Sequence, residues 1–119
     1  MTTTSRGRQQ VEPITDVARL RAELQTAIQL EHATIPPYLC ALYSLHAGRN
    51  REVAERIESV VMDEMLHMVQ AANVLNALGG TPQLTAPGFV PRYPATLPHS
   101  DGRVVVSLRR FSPSSRPPH

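Results

Sequence analysis

Three side chains able to bind a metal interrupt apolar helical stripes: Glu31 in the first half of the chain, and Glu64 and His67 in the second. At about 100° per residue, each glutamate lies at the centre of its stripe. His67 lies about 60° to the side of Glu64 and one turn along, so its imidazole and the Glu64 carboxylate can reach one point. Carboxylate and imidazole ligands suit iron and manganese. The pattern predicts a metal site between two helices.

Each of these residues, taken singly, has an ordinary structural interpretation. A glutamate on an apolar stripe more often extends its carboxylate to water, and a histidine is more often a core or boundary residue. The pair of Glu31 and Glu64 is a different case. Two buried carboxylates repel each other and lose their hydration, and a positive charge between them is needed to offset this cost. No arginine falls on either stripe centre. A divalent metal would supply that charge, and no residue is assigned as a catalytic acid or base.

Other candidate residues are weaker. His32 lies about 100° from the centre of the first stripe, and His46 lies beyond a proline pair, so both are predicted at the surface or boundary. Asp63 points about 100° away from Glu64 and is predicted to be solvated or paired with an arginine. The single cysteine, Cys40, cannot form an internal disulfide or a thiolate cluster within one chain. We interpret it as a small buried apolar residue.

Two helices, predicted at about 16–46 and 50–78, position the candidate ligands. Thr15 or Asp16 is the expected N-cap of the first helix, and the second ends before Gly79 and Gly80. A short connection around Gly48 makes the helices antiparallel neighbours. The middle of the second helix is apolar nearly all round, which predicts that both of its faces are covered.

A proline pair, Pro36 and Pro37, lies inside the first predicted helix. Proline has no N–H and clashes with the preceding turn, so the helix is expected to kink or restart there. The carbonyls of His32 and Ala33 then lose their normal donors.

The chain changes character after Gly80, because eight of its eleven prolines follow that point. Residues 81–111 are predicted to form a Pro-rich strap containing one short strand, Val104 to Leu108, paired with residues near Phe89 and Val90 across an Asp101-Gly102 turn. Residues 1–14 and 113–119 are predicted to be a flexible tail and a disordered tail. The expected fold is therefore mainly α: an antiparallel two-helix hairpin, half of a four-helix bundle, followed by the strap.

The composition of the chain excludes some classes of function. The 119 residues are 41% hydrophobic and 18% charged, as in a globular domain. All twelve basic residues are arginines spread along the chain, and the net charge of +2 gives no concentrated patch for nucleic acid. No stretch approaches the roughly 20 apolar residues of a membrane span, and the N-terminus lacks the apolar core of a secretory signal. We expect a cytoplasmic protein with no nucleic-acid or membrane partner.

Three long strings carry a resemblance to a known family: LEHATIPPYLCALYSL, VVMDEMLHMVQAANVLNALGGTPQL and PGFVPRYPATLP. The chain resembles the ferritin-like domain of the iminophenyl-pyruvate dimer synthase family over about residues 16 to 112. The resemblance implies that Glu31, Glu64 and His67 are metal ligands of a di-iron site. It also implies oxidative coupling of imines derived from amino acids, in secondary metabolism, with a small organic substrate.

The chain contains only half of the helices and ligands that such a domain needs. A glutamate on one helix and Glu-x-x-His on the next are half of the set used by di-iron and di-manganese bundles. Residues 15–112 would then be a partial domain, completed either by a second copy in a homodimer or by a missing C-terminal half. The alternative to an oxidoreductase is a non-catalytic truncated hairpin that acts as a dimerisation or interaction module.

Overall fold

The computed structural model describes residues 12–98 and 100–112. Within them lie, in order, α1 (Val17–Tyr43), α2 (Arg51–Ala77), β1 (Ala95–Thr96) and β2 (Val105–Val106). The two helices pack against each other as an antiparallel hairpin, and the two strands form a small sheet. The predicted mainly α hairpin is confirmed. Most of the 1–14 tail and all of the 113–119 tail lie outside the described residues.

The helix ends follow local hydrogen bonds. The Asp16 carboxylate accepts from the Arg19 amide at 2.8 Å, which makes Asp16 the N-cap of α1. α1 ends at Tyr43, earlier than Gly48 suggested, and the Ser44 hydroxyl donates to the Ala41 carbonyl at 2.7 Å in the last turn. Hydrogen bonds within the last turn thus end α1 before the chain reaches Gly48.

α1 runs through Pro36 and Pro37 without restarting. The missing N–H of Pro37 frees the Ala33 carbonyl, as predicted, and the Tyr93 hydroxyl donates to that carbonyl at 2.7 Å. Burial, together with nearby Cys40, raises the pKa of Tyr93 above its ordinary value, so the hydroxyl keeps its proton. A donor from the strap therefore replaces the one that proline removes.

Tyr93→Phe is expected to lower the free energy of unfolding by about 1–2 kcal/mol, because it removes the donor to the carbonyl of Ala33, a buried residue. Chemical denaturation measures this change. Tyr43→Phe is the matched control, since Tyr43 is 77% exposed and should give no change. In a Pro37→Ala background the helical amide returns, so the cost of Tyr93→Phe should shrink. An equal cost in both backgrounds would contradict the assignment.

The strap, residues 81–111, returns across the hairpin and completes its core. Ile28, Leu75 and Phe89 form a buried cluster, with exposed fractions of 4% or less, and they come from α1, α2 and the strap respectively. The Gln25 side chain pairs with the backbone of Gln83, donating to its carbonyl and accepting from its amide, both at 2.9 Å. Burial of apolar surface and these backbone pairings hold the strap against the helices.

The predicted strand exists, but its predicted partner is wrong. β2 pairs antiparallel with β1, in the register Ala95 to Val106 and Thr96 to Val105, and not with residues near Phe89. Asp101 and Gly102 both have positive φ, 52° and 75°, and the Arg103 amide donates to the Ser100 carbonyl at 3.0 Å. This tight turn favours the nearer strand as partner. Phe89 is left to enter the helical core.

One face of α2 is apolar and exposed within the described part of the chain. Met62, Leu66 and Val69 are exposed by 60%, 53% and 51%, and we call these three residues the rear face. The described residues do not cover this face, so the predicted burial of α2 on both sides does not occur within them. Among the described residues, neither helix combines the length and apolarity that crossing a membrane requires.

Candidate metal centre

The hairpin brings together the three residues that the sequence singled out. Glu31 projects from α1, and Glu64 and His67 project from α2. One ligand atom from each residue lies within 4.8 Å of those from the other two. The antiparallel packing of two long helices produces this convergence, since each residue is close to the middle of its helix.

The cluster is partly buried and opens to one side. The Glu31 side chain is 25% exposed, Glu64 is half-buried, and the His67 side chain is 52% exposed. His67 Nδ1 lies 3.6 Å from Glu31 Oε2. Ligand atoms of the Glu31 and Glu64 carboxyl groups lie within 4.8 Å of each other. His67 therefore stands at the open edge, and the two glutamates lie deeper.

The electrostatics of the cluster favour a cation. Burial, followed by the hydrogen bond and negative charge of Glu64, raises the pKa of Glu31 to about 7, although His67 acts in the opposite direction. Glu31 therefore keeps its proton to a higher pH than an ordinary glutamate does. The ion pairs of Arg51 and Arg56 join neighbouring exposed acids of α2 and do not reach this pair.

The donor set fits a divalent transition metal. Carboxylates and imidazole are ligands that suit iron and manganese, and a bound metal would displace the proton that Glu31 holds at lower pH. Apolar side chains of the facing stripes, among them buried Ile35 and Val61, belong to the same helices. The three residues could bind one ion without filling its coordination sphere, which would leave positions for other ligands.

The weaker candidates lie apart from the cluster or point elsewhere. His32 is half-buried with its ring centroid 4.7 Å from that of Phe89, and its buried Nδ1 has no hydrogen-bond partner among the described residues. His46 and Asp63 are exposed, and Cys40 is free and half-buried, not buried as predicted. The predicted surface or boundary positions of the two histidines are confirmed.

Sequence reasoning missed Thr34, whose hydroxyl lies 3.1 Å from Glu64 Oε2. A signal was available. Thr34 follows Glu31 by three residues, the same spacing that separates His67 from Glu64, so it occupies the equivalent position on the other helix.

Comparison with known proteins identifies the family. A protein-family model described as Ferritin-like matches residues 24–115, which is most of the chain. The chain belongs to the ferritin-like family. No curated protein and no solved structure matches it.

Proposed function

We propose that this ferritin-like chain is a metal-binding domain in which Glu31, Glu64 and His67 hold iron, with manganese as the alternative. The observation that carries the proposal is the convergence of their ligand atoms to within 4.8 Å. Burial and the neighbouring Glu64 carboxyl group raise the pKa of Glu31 to about 7, which is what a site that lacks positive charge produces.

A second helical hairpin would complete the site. We propose that two copies meet about a two-fold axis, so that four glutamates and two histidines surround two ions in a di-iron centre. The exposure of His67, 52% at the open edge of the cluster, leaves room for the second hairpin. The other source of that hairpin is the C-terminal half of the domain, which the resemblance to longer ferritin-like domains implies.

The reaction we propose is an oxidation of a small organic substrate. A di-iron centre supplies redox chemistry with dioxygen when it is bound. The carboxylates of Glu31 and Glu64 would offset the positive charge of the metal, and His67 would contribute a neutral nitrogen ligand. The apolar stripes would limit access of water to the centre. The resemblance to the iminophenyl-pyruvate dimer synthase family favours an imine derived from an amino acid as the substrate, with oxidative coupling as the outcome, in secondary metabolism.

Native mass spectrometry after anaerobic loading with ferrous iron tests this proposal, because it reports copy number and metal count together. We expect a dimer that contains two irons. Loading the same protein in excess chelator is the control and should remove both ions. A chain that stays free of metal at every iron concentration would overturn the metal-binding proposal, and a monomer that binds one ion would overturn the two-fold assembly alone.

The rear face supports a second candidate function, a non-catalytic dimerisation or interaction module. Met62, Leu66 and Val69 are each more than half exposed, and such a patch favours a protein partner. Chelation separates the two functions. A metal bound only by the native protein raises its stability, so chelation should lower the melting temperature of a metal-binding domain and leave that of a metal-free module unchanged.

A further inference from the structure

Thr34 joins the two helices at the candidate metal centre. Its hydroxyl lies 3.1 Å from Glu64 Oε2 and 2.9 Å from the carbonyl oxygen of Glu31. Both contacts are partly buried, so water competes less for the hydroxyl than it would at the surface. One side chain of α1 therefore contacts the backbone of one candidate ligand and the carboxylate of another.

The hydroxyl has one proton to donate, and its two acceptors are not equivalent. A threonine inside a helix commonly donates to a carbonyl three or four residues earlier, as Thr26 does to Ala22 at 3.2 Å. The Glu31 carbonyl can also accept the helical amide of Ile35, because Ile35 is not a proline. An ionised carboxylate is the stronger acceptor. The Thr34 proton is therefore best used on Glu64 Oε2, 3.1 Å away.

We propose that Thr34 is a positioning residue for the metal centre, whose hydroxyl donates to Glu64 Oε2 and fixes the orientation in which that carboxylate meets the ion. This inference rests on the proposed function. A ligand held in place beforehand loses less rotational freedom on binding, and hydrogen bonds to a ligating carboxylate commonly contribute to affinity. Thr34 would therefore act on a bound metal only through Glu64.

The test is an anaerobic titration of the full chain with cobalt(II), which reports affinity and, through its visible absorption bands, coordination geometry. Thr34→Val removes the donor while keeping the β-branched shape. We expect roughly 10- to 100-fold weaker binding and altered cobalt bands. Thr34→Ser keeps a hydroxyl and should restore both. Thr26→Val is the matched control, because the Thr26 hydroxyl donates to a backbone carbonyl of the same helix, and it should bind like the wild type.

The outcomes are distinguishable. If wild type and Thr34→Val bind cobalt with equal affinity and identical bands, the positioning role is wrong while the metal site stands. If Thr26→Val weakens binding as much as Thr34→Val, the effect comes from the helix and the role is again wrong. If the wild type binds no cobalt, the proposed function itself fails, and the inference fails with it. Helical circular dichroism in chelator verifies that every variant compared is folded.

Discussion

Glu64→Ala is expected to lower the affinity for ferrous iron by roughly 100-fold or more, because it removes a ligand and not merely a residue that orients one. A ligand atom of Glu64 lies within 4.8 Å of the ligand atoms of Glu31 and His67. In chelator, Glu64→Ala should not destabilise the metal-free protein electrostatically. The substitution removes the negative charge that opposes ionisation of Glu31. Isothermal titration under anaerobic conditions measures the first effect, and thermal unfolding in chelator measures the second.

Glu58→Ala is the matched control for Glu64→Ala. Glu58 lies on the same helix but is exposed, so its loss should change neither affinity nor stability by a measurable amount. Equal affinities for wild type and Glu64→Ala would remove Glu64 from the site. A variant that loses iron and also unfolds in chelator would show that the glutamate has a structural role instead.

Between pH 4.5 and about 7, the stability of the metal-free protein is expected to fall as pH rises. The pKa of Glu31 rises from 4.5 to about 7 on folding, so the folded state binds its proton more tightly than the unfolded state. The contribution is fully present below pH 4.5 and is lost as the pH passes through about 7. A shift of this size corresponds to about 3 kcal/mol, measured by urea unfolding in chelator at pH 5 and pH 8.

Glu31→Gln should flatten this dependence, because an amide does not titrate, whereas Glu58→Gln should preserve it. Iron should reverse the trend, since binding displaces the Glu31 proton and affinity then increases as pH rises through 7. A Glu31→Gln variant that retains the full pH dependence would assign it to other groups. An iron affinity that does not change with pH would show that the metal does not compete with this proton.

The hairpin and the meeting of the candidate ligands could be predicted from the sequence because both follow from helical periodicity. Apolar residues spaced by three and four define which face of each helix is buried, and a short connection makes the helices antiparallel. Glu31 and Glu64 lie on those faces, so their proximity follows from the fold. Their role as metal ligands remains a prediction.

The contacts made by the strap could not be predicted in the same way. The strand pairing depended on a turn whose two positive-φ residues place Val105 and Val106 against Ala95 and Thr96, and a two-residue strand has too little pattern to reveal its partner. The donor that replaces the missing amide of Pro37 comes from Tyr93, which is 60 residues away from the Ala33 carbonyl. Periodicity reports local geometry and carries no information on such distant partners.

The Tyr93–Ala33 hydrogen bond also orders the events of folding. The hairpin can close from its short connection outwards, whereas the Tyr93 bond joins partners 60 residues apart and needs that whole loop closed. We therefore expect the strap to dock after the helices have met. We also expect it to open before the hairpin does, which amide hydrogen exchange would measure, and each such opening would remove the donor of the Ala33 carbonyl.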